Sequence, residues 1–233
     1  RSSDLTWKPY GGFSSSVVVD GRFAYPLPAA MSSEVAAVLM CAGISVYTPL
    51  RSYAAGGSRK VGIVGVGGLG HLAIQFAHAL GCEVTAISSS PGKKEQALKF
   101  GADHFIITED QTSMRQVRLS FDLLLYTSHG KSDWTSLLYS LKSNGRLIMV
   151  GFSDDPVTFD PLELVVHQMS IIGSLIGNRV AMREMLSFAQ AHGIAPWIEL
   201  MPVSQVNHAI QRVKENKARY RIVLFNDTVG ADT

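Results

Sequence analysis

The sequence predicts an α/β fold: a doubly wound parallel sheet of six strands, with remnants of a second lobe. Three observations predict it. From residue 61 to 176, strand-like runs alternate with helix-like periodicities, and parallel strands joined by right-handed helical crossovers form a sheet covered on both faces. The first of these strands, Val61 to Val64, runs directly into Gly65-x-Gly67-x-x-Gly70. A helical pattern follows at once, carried by Leu69, Leu72, Ala73, Phe76 and Leu80. In that context the glycine run is the fingerprint of a Rossmann dinucleotide site, with strand order 3-2-1-4-5-6 and ligand at the switch point.

In chain order, residues 1–10 carry no periodicity, and a strand over 13–19 ends at the turn Asp20-Gly21. A short apolar piece, Phe23 to Tyr25, stops at Pro26 and Pro28. Ser32-Ser33-Glu34 starts a helix, and 39–50 reads as two helical pieces bent near Gly43. The loop 54–58 leads into the first strand. The second strand is Glu83 to Ile87, followed by Pro91-Gly92 and a helix through Leu98. The third strand is His104 to Ile107, the polar stretch 110–118 leaves a helix open, and the fourth is Phe121 to Leu125. A helix over 132–142 stops at Asn144-Gly145 before the fifth strand, Arg146 to Val150. A loop over 153–161 and a helical piece at 161–167 precede the sixth, Ser170 to Ile176. Beyond Gly177 the alternation breaks into a helix (180–191), an extended piece (197–201), a helix (203–216) and a strand (220–225). The last eight residues, Asn226 to Thr233, read as frayed. Residues 45–176 are thus expected to form the dinucleotide-binding domain, with 1–44 and 177–233 in a second lobe.

Composition narrows the function. A chain of 233 residues, 46% apolar and 17% charged, is that of a soluble globular protein of one large or two small domains. A formal charge of +2 argues against a nucleic-acid binder. No apolar run reads as long enough for a membrane span, and no signal-peptide pattern stands out. Cys41 and Cys82 do not suggest a disulfide scaffold, so a reducing cytoplasm is expected. The chain opens on Arg1 and reads as a fragment.

The glycine run has a physical reading. Gly65 turns out of the strand, Gly67 lets the main chain approach a pyrophosphate, and Gly70 lets the helix pack close to the strand. Gly68 and Leu69 complete the turn, and the helix N-terminus offers unpaired N–H groups to phosphate. An NAD site wants an acid about 20 residues further on. Here the second strand ends in Ser88-Ser89-Ser90, with Lys93 and Lys94 beyond and no acid among them. A carboxylate about 4 Å from a unit of phosphate charge would cost about 4 kcal/mol at an effective dielectric of 20. Hydroxyls and lysines do the reverse, so NADP is the expected cofactor. Taken alone, Cys41 is either a small buried hydrophobe or a metal ligand. The seven histidines show no H-x-x-x-H spacing. His71 follows Gly70 and is open between meeting the phosphates and a structural role. Tyr126 and Lys131 are five apart, not the four of a Tyr-x-x-x-Lys pair.

Taken together, Leu39–Leu50 and Val61–His71 resemble the zinc-dependent medium-chain alcohol dehydrogenases, in the cinnamyl alcohol dehydrogenase branch. The likeness continues through Ser88–Lys94, Phe100–Asp103, Gly173–Gly177 and Ala218–Val223. It implies NADP-linked interconversion of a primary alcohol and its aldehyde, with a catalytic zinc. It also implies that Cys41 is a zinc ligand and that Ser45 stands for the family's catalytic-site threonine beside the nicotinamide. By the same resemblance Thr127, Val150, Phe152, Ser174 and Ile176 lie along the cofactor, and Arg221 meets its phosphates. Tyr126 stands where this branch commonly has an aspartate. The second lobe would be part of the family's catalytic lobe. The family's Gly-His-Glu motif, proton-relay hydroxyl and four-cysteine zinc lobe have no counterpart in this sequence, so the chain alone is expected to be inactive. The resemblance further implies a homodimer paired through 170–176. Two other readings are a zinc-free medium-chain reductase of quinones or enoyl thioesters, which Cys41 speaks against, and a non-catalytic NADP-binding module.

Overall fold

A computed structural model describes residues 12–14, 17–56, 58–153 and 156–227. Its main sheet has six parallel strands: β1 (Lys60–Val64), β2 (Glu83–Ser88), β3 (His104–Ile107), β4 (Phe121–Tyr126), β5 (Leu141–Met149) and β6 (Ser170–Gly173). Their order is β3-β2-β1-β4-β5-β6, the doubly wound order expected from the sequence. Alternate residues of each strand face opposite ways. Val61, Ile63, Val84, Ala86, Leu123 and Leu125 enter one buried cluster, and Val64, Ile87, Leu124, Tyr126 and Leu147 enter the other.

Two strands depart from expectation. β5 begins at Leu141, because the Asn144-Gly145 pair expected to precede it is taken into the strand. The register shifts there between Phe121 and Leu123, and Asn144 has φ +63°, the geometry of extra residues accommodated as a bulge. The helix before it, α6 (Trp134–Tyr139), is correspondingly shorter than 132–142. At the other edge β6 stops at Gly173, not Ile176, because its partner β5 ends at Met149 and offers no further ladder.

The N-terminal helical stretch comprises α1 (Ser33–Val38), a π turn over Leu39–Gly43, and α2 (Ile44–Tyr53). Where two pieces bent near Gly43 are expected, the helix continues through this π turn with Gly43 itself helical. Ser33–Tyr53 is 21 residues long, and by length and composition it passes as a membrane span. Ser45, Thr48 and Pro49 interrupt its apolar run, so no span stands out in the sequence. Leu39, Ile44, Val46, Tyr47 and Leu50 are fully buried in the larger core cluster, so it is the protein's own core helix. The division expected after residue 44 falls inside it.

The other helices are α3 (Gly70–Ala79), α4 (Lys94–Lys99), α5 (Gln111–Gln116), α7 (Pro161–His167) and α8 (Arg179–Ala191). The polar stretch left open by the sequence becomes α5 because the Asp110 carboxylate accepts from the Thr112 and Ser113 N–H groups at 3.0 and 3.2 Å. α7 starts the same way: Asp160 accepts from the Leu162 N–H, and Pro161, which has no N–H to satisfy, occupies the first turn. The last segments, β7 (Ile198–Pro202), α9 (Val206–Lys214) and β8 (Arg221–Phe225), form a separate two-stranded parallel sheet with its crossover helix. They do not extend the main sheet. The strand expected over 13–19 lies partly outside the described residues, and its Val17–Val19 part is exposed and pairs with no strand among the described residues. Of the tail expected to fray, Asp227 is tied down by the Ser204 N–H and hydroxyl at 3.2 and 2.6 Å. The expectations for 1–10 and for 228–233 lie outside the described residues.

Candidate functional site

The site begins where β1 ends. Gly65 has φ +95°, a region open to glycine. The buried Thr127 hydroxyl bridges the Val64 and Gly65 carbonyls, both 2.9 Å away. A Cβ on Gly70 would overlap the Gly65 carbonyl oxygen, so α3 can start this close to the strand only with glycine there. A Cβ on Gly67, by contrast, would meet nothing within 4 Å. The N–H groups of Gly67, Gly68, Leu69 and Gly70 find no acceptor among the described residues, as the first turn of a helix leaves them.

Side chains from elsewhere surround this turn. The Lys93 ammonium donates to the Val66 carbonyl at 2.6 Å and lies 5.9 Å from the Tyr220 ring centroid. Burial pulls its pKa below the ordinary lysine value, and the Arg219 charge adds to that. Ser88 is buried and its hydroxyl accepts from the Ser90 N–H at 3.2 Å, while Ser89 and Lys94 are exposed. Arg221 Nε donates to the Gly68 carbonyl at 3.0 Å. Burial lowers this guanidinium's pKa, partly offset by the nearby Cys41.

The ends of β4, β5 and β6 continue the rim. Val150 N–H donates to Tyr126 at 3.0 Å and Ser174 N–H to Met149 at 2.9 Å, which sets Thr127, Val150 and Ser174 in a row. Phe152 and Ile176 are exposed beyond it. Tyr126 is buried, its hydroxyl close to the Gly130 carbonyl and the Ser132 hydroxyl at 3.2 and 3.0 Å, which makes it a loop anchor. On the other side of Arg221 lies a cavity of about 460 Å³ lined by Cys41, Val38, Ala42, Ile222 and Leu224. Cys41 is exposed to it. Ser45 is buried and its hydroxyl is donated to the Cys41 carbonyl at 2.8 Å.

His71 takes the structural alternative left open by the sequence. It is fully buried, with one ring nitrogen 2.8 Å from the Gly67 carbonyl and the other 3.2 Å from the Trp197 N–H. Burial, reinforced by Arg221, lowers its pKa to about 4. Trp197 and Tyr220, which enclose the turn with it, carried no signal in the sequence; their contacts span more than a hundred residues.

Residues 68–191 match the family model described as zinc-binding dehydrogenase, which is more than half of the chain. The chain belongs to this family.

Relatives of this zinc-binding dehydrogenase chain include the probable formaldehyde dehydrogenase AdhA of Bacillus subtilis, 44% identical over 98% of this chain and 66% of the relative. A cinnamyl alcohol dehydrogenase of Sorghum bicolor superposes with a TM-score of 0.81 at 36% identity, over 85% of this chain and 57% of that one. CAD from Helicobacter pylori, solved in complex with NADP(H), gives a TM-score of 0.79 at 30% identity, over 89% of this chain and 59% of that one. The chain thus spans about three fifths of the length of these proteins. The family name raises the question of zinc. A catalytic zinc takes three protein donors and an open position. Among the described residues no group of three or more His, Cys, Asp or Glu could hold a metal, and Cys41 stands without co-ligands. The described residues do not by themselves fit a zinc ion.

Proposed function

We propose that the chain binds NADP(H) over the Gly65–Gly70 turn and serves hydride transfer between that cofactor and a primary alcohol or aldehyde. The observation that carries it is the end of β2: Ser88–Ser90 and the Lys93 ammonium stand beside a turn of unpartnered N–H groups, with no carboxylate in Ser88–Lys94. The turn's N–H groups and the α3 N-terminus suit the pyrophosphate, with Gly67, Gly68, Leu69 and Gly70 in contact with it. Ser88, Ser89, Ser90, Lys93 and Lys94 suit the 2′-phosphate. Arg221 lies between the turn and the Cys41 cavity, where it orients the phosphates. Thr127 acts through the turn it braces. Val150, Phe152, Ser174 and Ile176 border the nicotinamide end, and Ser45 holds the Cys41 carbonyl beneath it. When bound, NADPH supplies the hydride that a carbonyl carbon accepts. Cys41 is proposed as one zinc ligand of the reaction centre; the chain's other described residues complete no such site, so the chain alone binds cofactor without turning over substrate.

We propose the following for the domains and for self-association. Residues 45–176 form the dinucleotide-binding domain, and 1–44 with 177–233 belong to the catalytic lobe. β6 is the sheet edge, and Leu175 and Ile176 beyond it are exposed; such an edge invites a second copy. NADPH titrated into the chain, followed by its fluorescence, tests the cofactor reading. Saturation is expected, and Lys93→Glu should weaken it by tenfold or more. Absence of saturable binding overturns it.

A further inference from the structure

We propose that His71 is a positioning residue of the cofactor turn, holding the Gly67 carbonyl so that the neighbouring N–H groups face the pyrophosphate. The proposal rests on the NADP(H) reading.

The tautomer follows from the donors. The Trp197 N–H points at Nε2 from 3.2 Å, so Nε2 is bare and accepts. The ring proton is therefore on Nδ1, which donates to the Gly67 carbonyl at 2.8 Å. The Trp197 carbonyl in turn accepts from the Tyr220 and Arg221 N–H groups at 2.9 and 3.3 Å. Arg221 Nε returns to the turn at the Gly68 carbonyl. The circuit Gly67, His71, Trp197, Arg221, Gly68 is closed.

Lys93 on Val66 makes three successive carbonyls held by three side chains from three parts of the chain. A peptide unit is planar and its N–H points opposite its C=O. Holding the Val66, Gly67 and Gly68 carbonyls therefore aims the N–H groups of Gly67, Gly68 and Leu69, and no described residue accepts from these three. Lys93 and Arg221 belong to the proposed binding surface. His71, fully buried between the Tyr220 and Phe100 rings at 5.1 and 5.5 Å, acts only through the turn. An aimed set of donors loses less freedom when the anion arrives.

The test separates the two ring nitrogens. In His71→Asn the amide nitrogen overlays Nδ1 and keeps the donor to Gly67. In His71→Gln the amide reaches the Nε2 position and serves Trp197 alone. Calorimetry would give affinities for NADPH and for adenosine 2′-monophosphate, which lacks the pyrophosphate, beside the melting temperature of each variant. His71→Gln and His71→Ala should weaken NADPH binding about tenfold, the weight of one buried hydrogen bond. His71→Asn should recover to within about threefold, and the monophosphate should change less than about twofold throughout. NADPH losses that are equal in Asn and Gln, or that follow the melting temperatures, overturn the proposal. Where the variants do not fold, nitrogen-15 spectra of the wild-type histidines decide. A proton on Nδ1 whose resonance moves with NADPH but not with the monophosphate supports it, and a proton on Nε2 overturns it. A wild type that binds the monophosphate but not NADPH overturns the positioning role alone; one that binds neither overturns the cofactor reading as well.

Discussion

Arg221 touches two regions of the molecule: its Nε donates to the Gly68 carbonyl, and the same side chain lines the cavity beside Cys41. The first region is built from backbone N–H groups of one strand–turn–helix unit and braced by Thr127, Lys93, His71 and Arg221. The second offers one exposed thiol and no group of three metal donors among the described residues. The two kinds of site are encoded differently. Phosphate is met by consecutive main-chain groups, so a short stretch carries most of its site. A metal is met by side chains from distant places, so a chain can hold one ligand without the site.

The largest effect expected of this contrast is all-or-none. After dialysis the chain should retain no stoichiometric zinc and catalyse no aldehyde-dependent NADPH oxidation, while still binding NADPH. Metal analysis beside that assay decides it; one tightly held zinc per chain, or turnover lost on Cys41→Ala, would erase the contrast.

Within the turn, two glycines sharpen it. Gly70→Ala drives a methyl into the Gly65 carbonyl, which should cost about 3 kcal/mol or more and lower the melting temperature by roughly 6–12 °C. Gly67→Ala meets nothing within 4 Å in the protein. Its stability should stay within about 0.5 kcal/mol while NADPH affinity falls about tenfold. Equal losses of stability in both would mean that Gly67 serves the fold and not a ligand.

The buried His71 predicts a pH dependence. Its pKa is lowered from 6.5 to about 4 by burial, so below 6.5 the unfolded chain takes up a proton that the folded chain refuses until about 4. Stability is therefore fully present above the unfolded value and falls as pH drops through that window, by at most about 3 kcal/mol. Urea midpoints from pH 7 to 4 would measure the fall, and His71→Asn should flatten it. An unchanged slope in the variant contradicts the neutral, buried assignment.

The smallest effect lies at the sheet edge. Leu175→Glu, at an exposed residue just beyond β6, should weaken self-association about tenfold on a sizing column, leaving the turn untouched; a wild type that is monomeric at micromolar concentration contradicts the dimer.

What the sequence disclosed follows the same division. The alternation of strands and helices and the helix after Gly70 were legible because each rests on neighbours in sequence, and the strand order followed from them through the rule for doubly wound sheets. Asn144-Gly145 misled because a turn pair inside a strand reads like a turn between elements, and only the register with β4 distinguishes them. The apolar character of Ser33–Tyr53 was hidden by three polar or proline interruptions that the helix tolerates. His71 was undecidable, since its partner Trp197 lies 126 residues away. Arg221 came from resemblance alone, and its bond to Gly68 spans 153 residues that no local pattern reaches.

Selection of a 2′-phosphate by the end of β2 is read out by isothermal calorimetry with NADPH and NADH. NADPH should bind tighter by a factor on the order of 10–100, the weight of one or two charge-assisted hydrogen bonds, and Ser88→Asp should move the preference toward NADH. Equal affinities, or tighter binding of NADH by the wild-type chain, would contradict it.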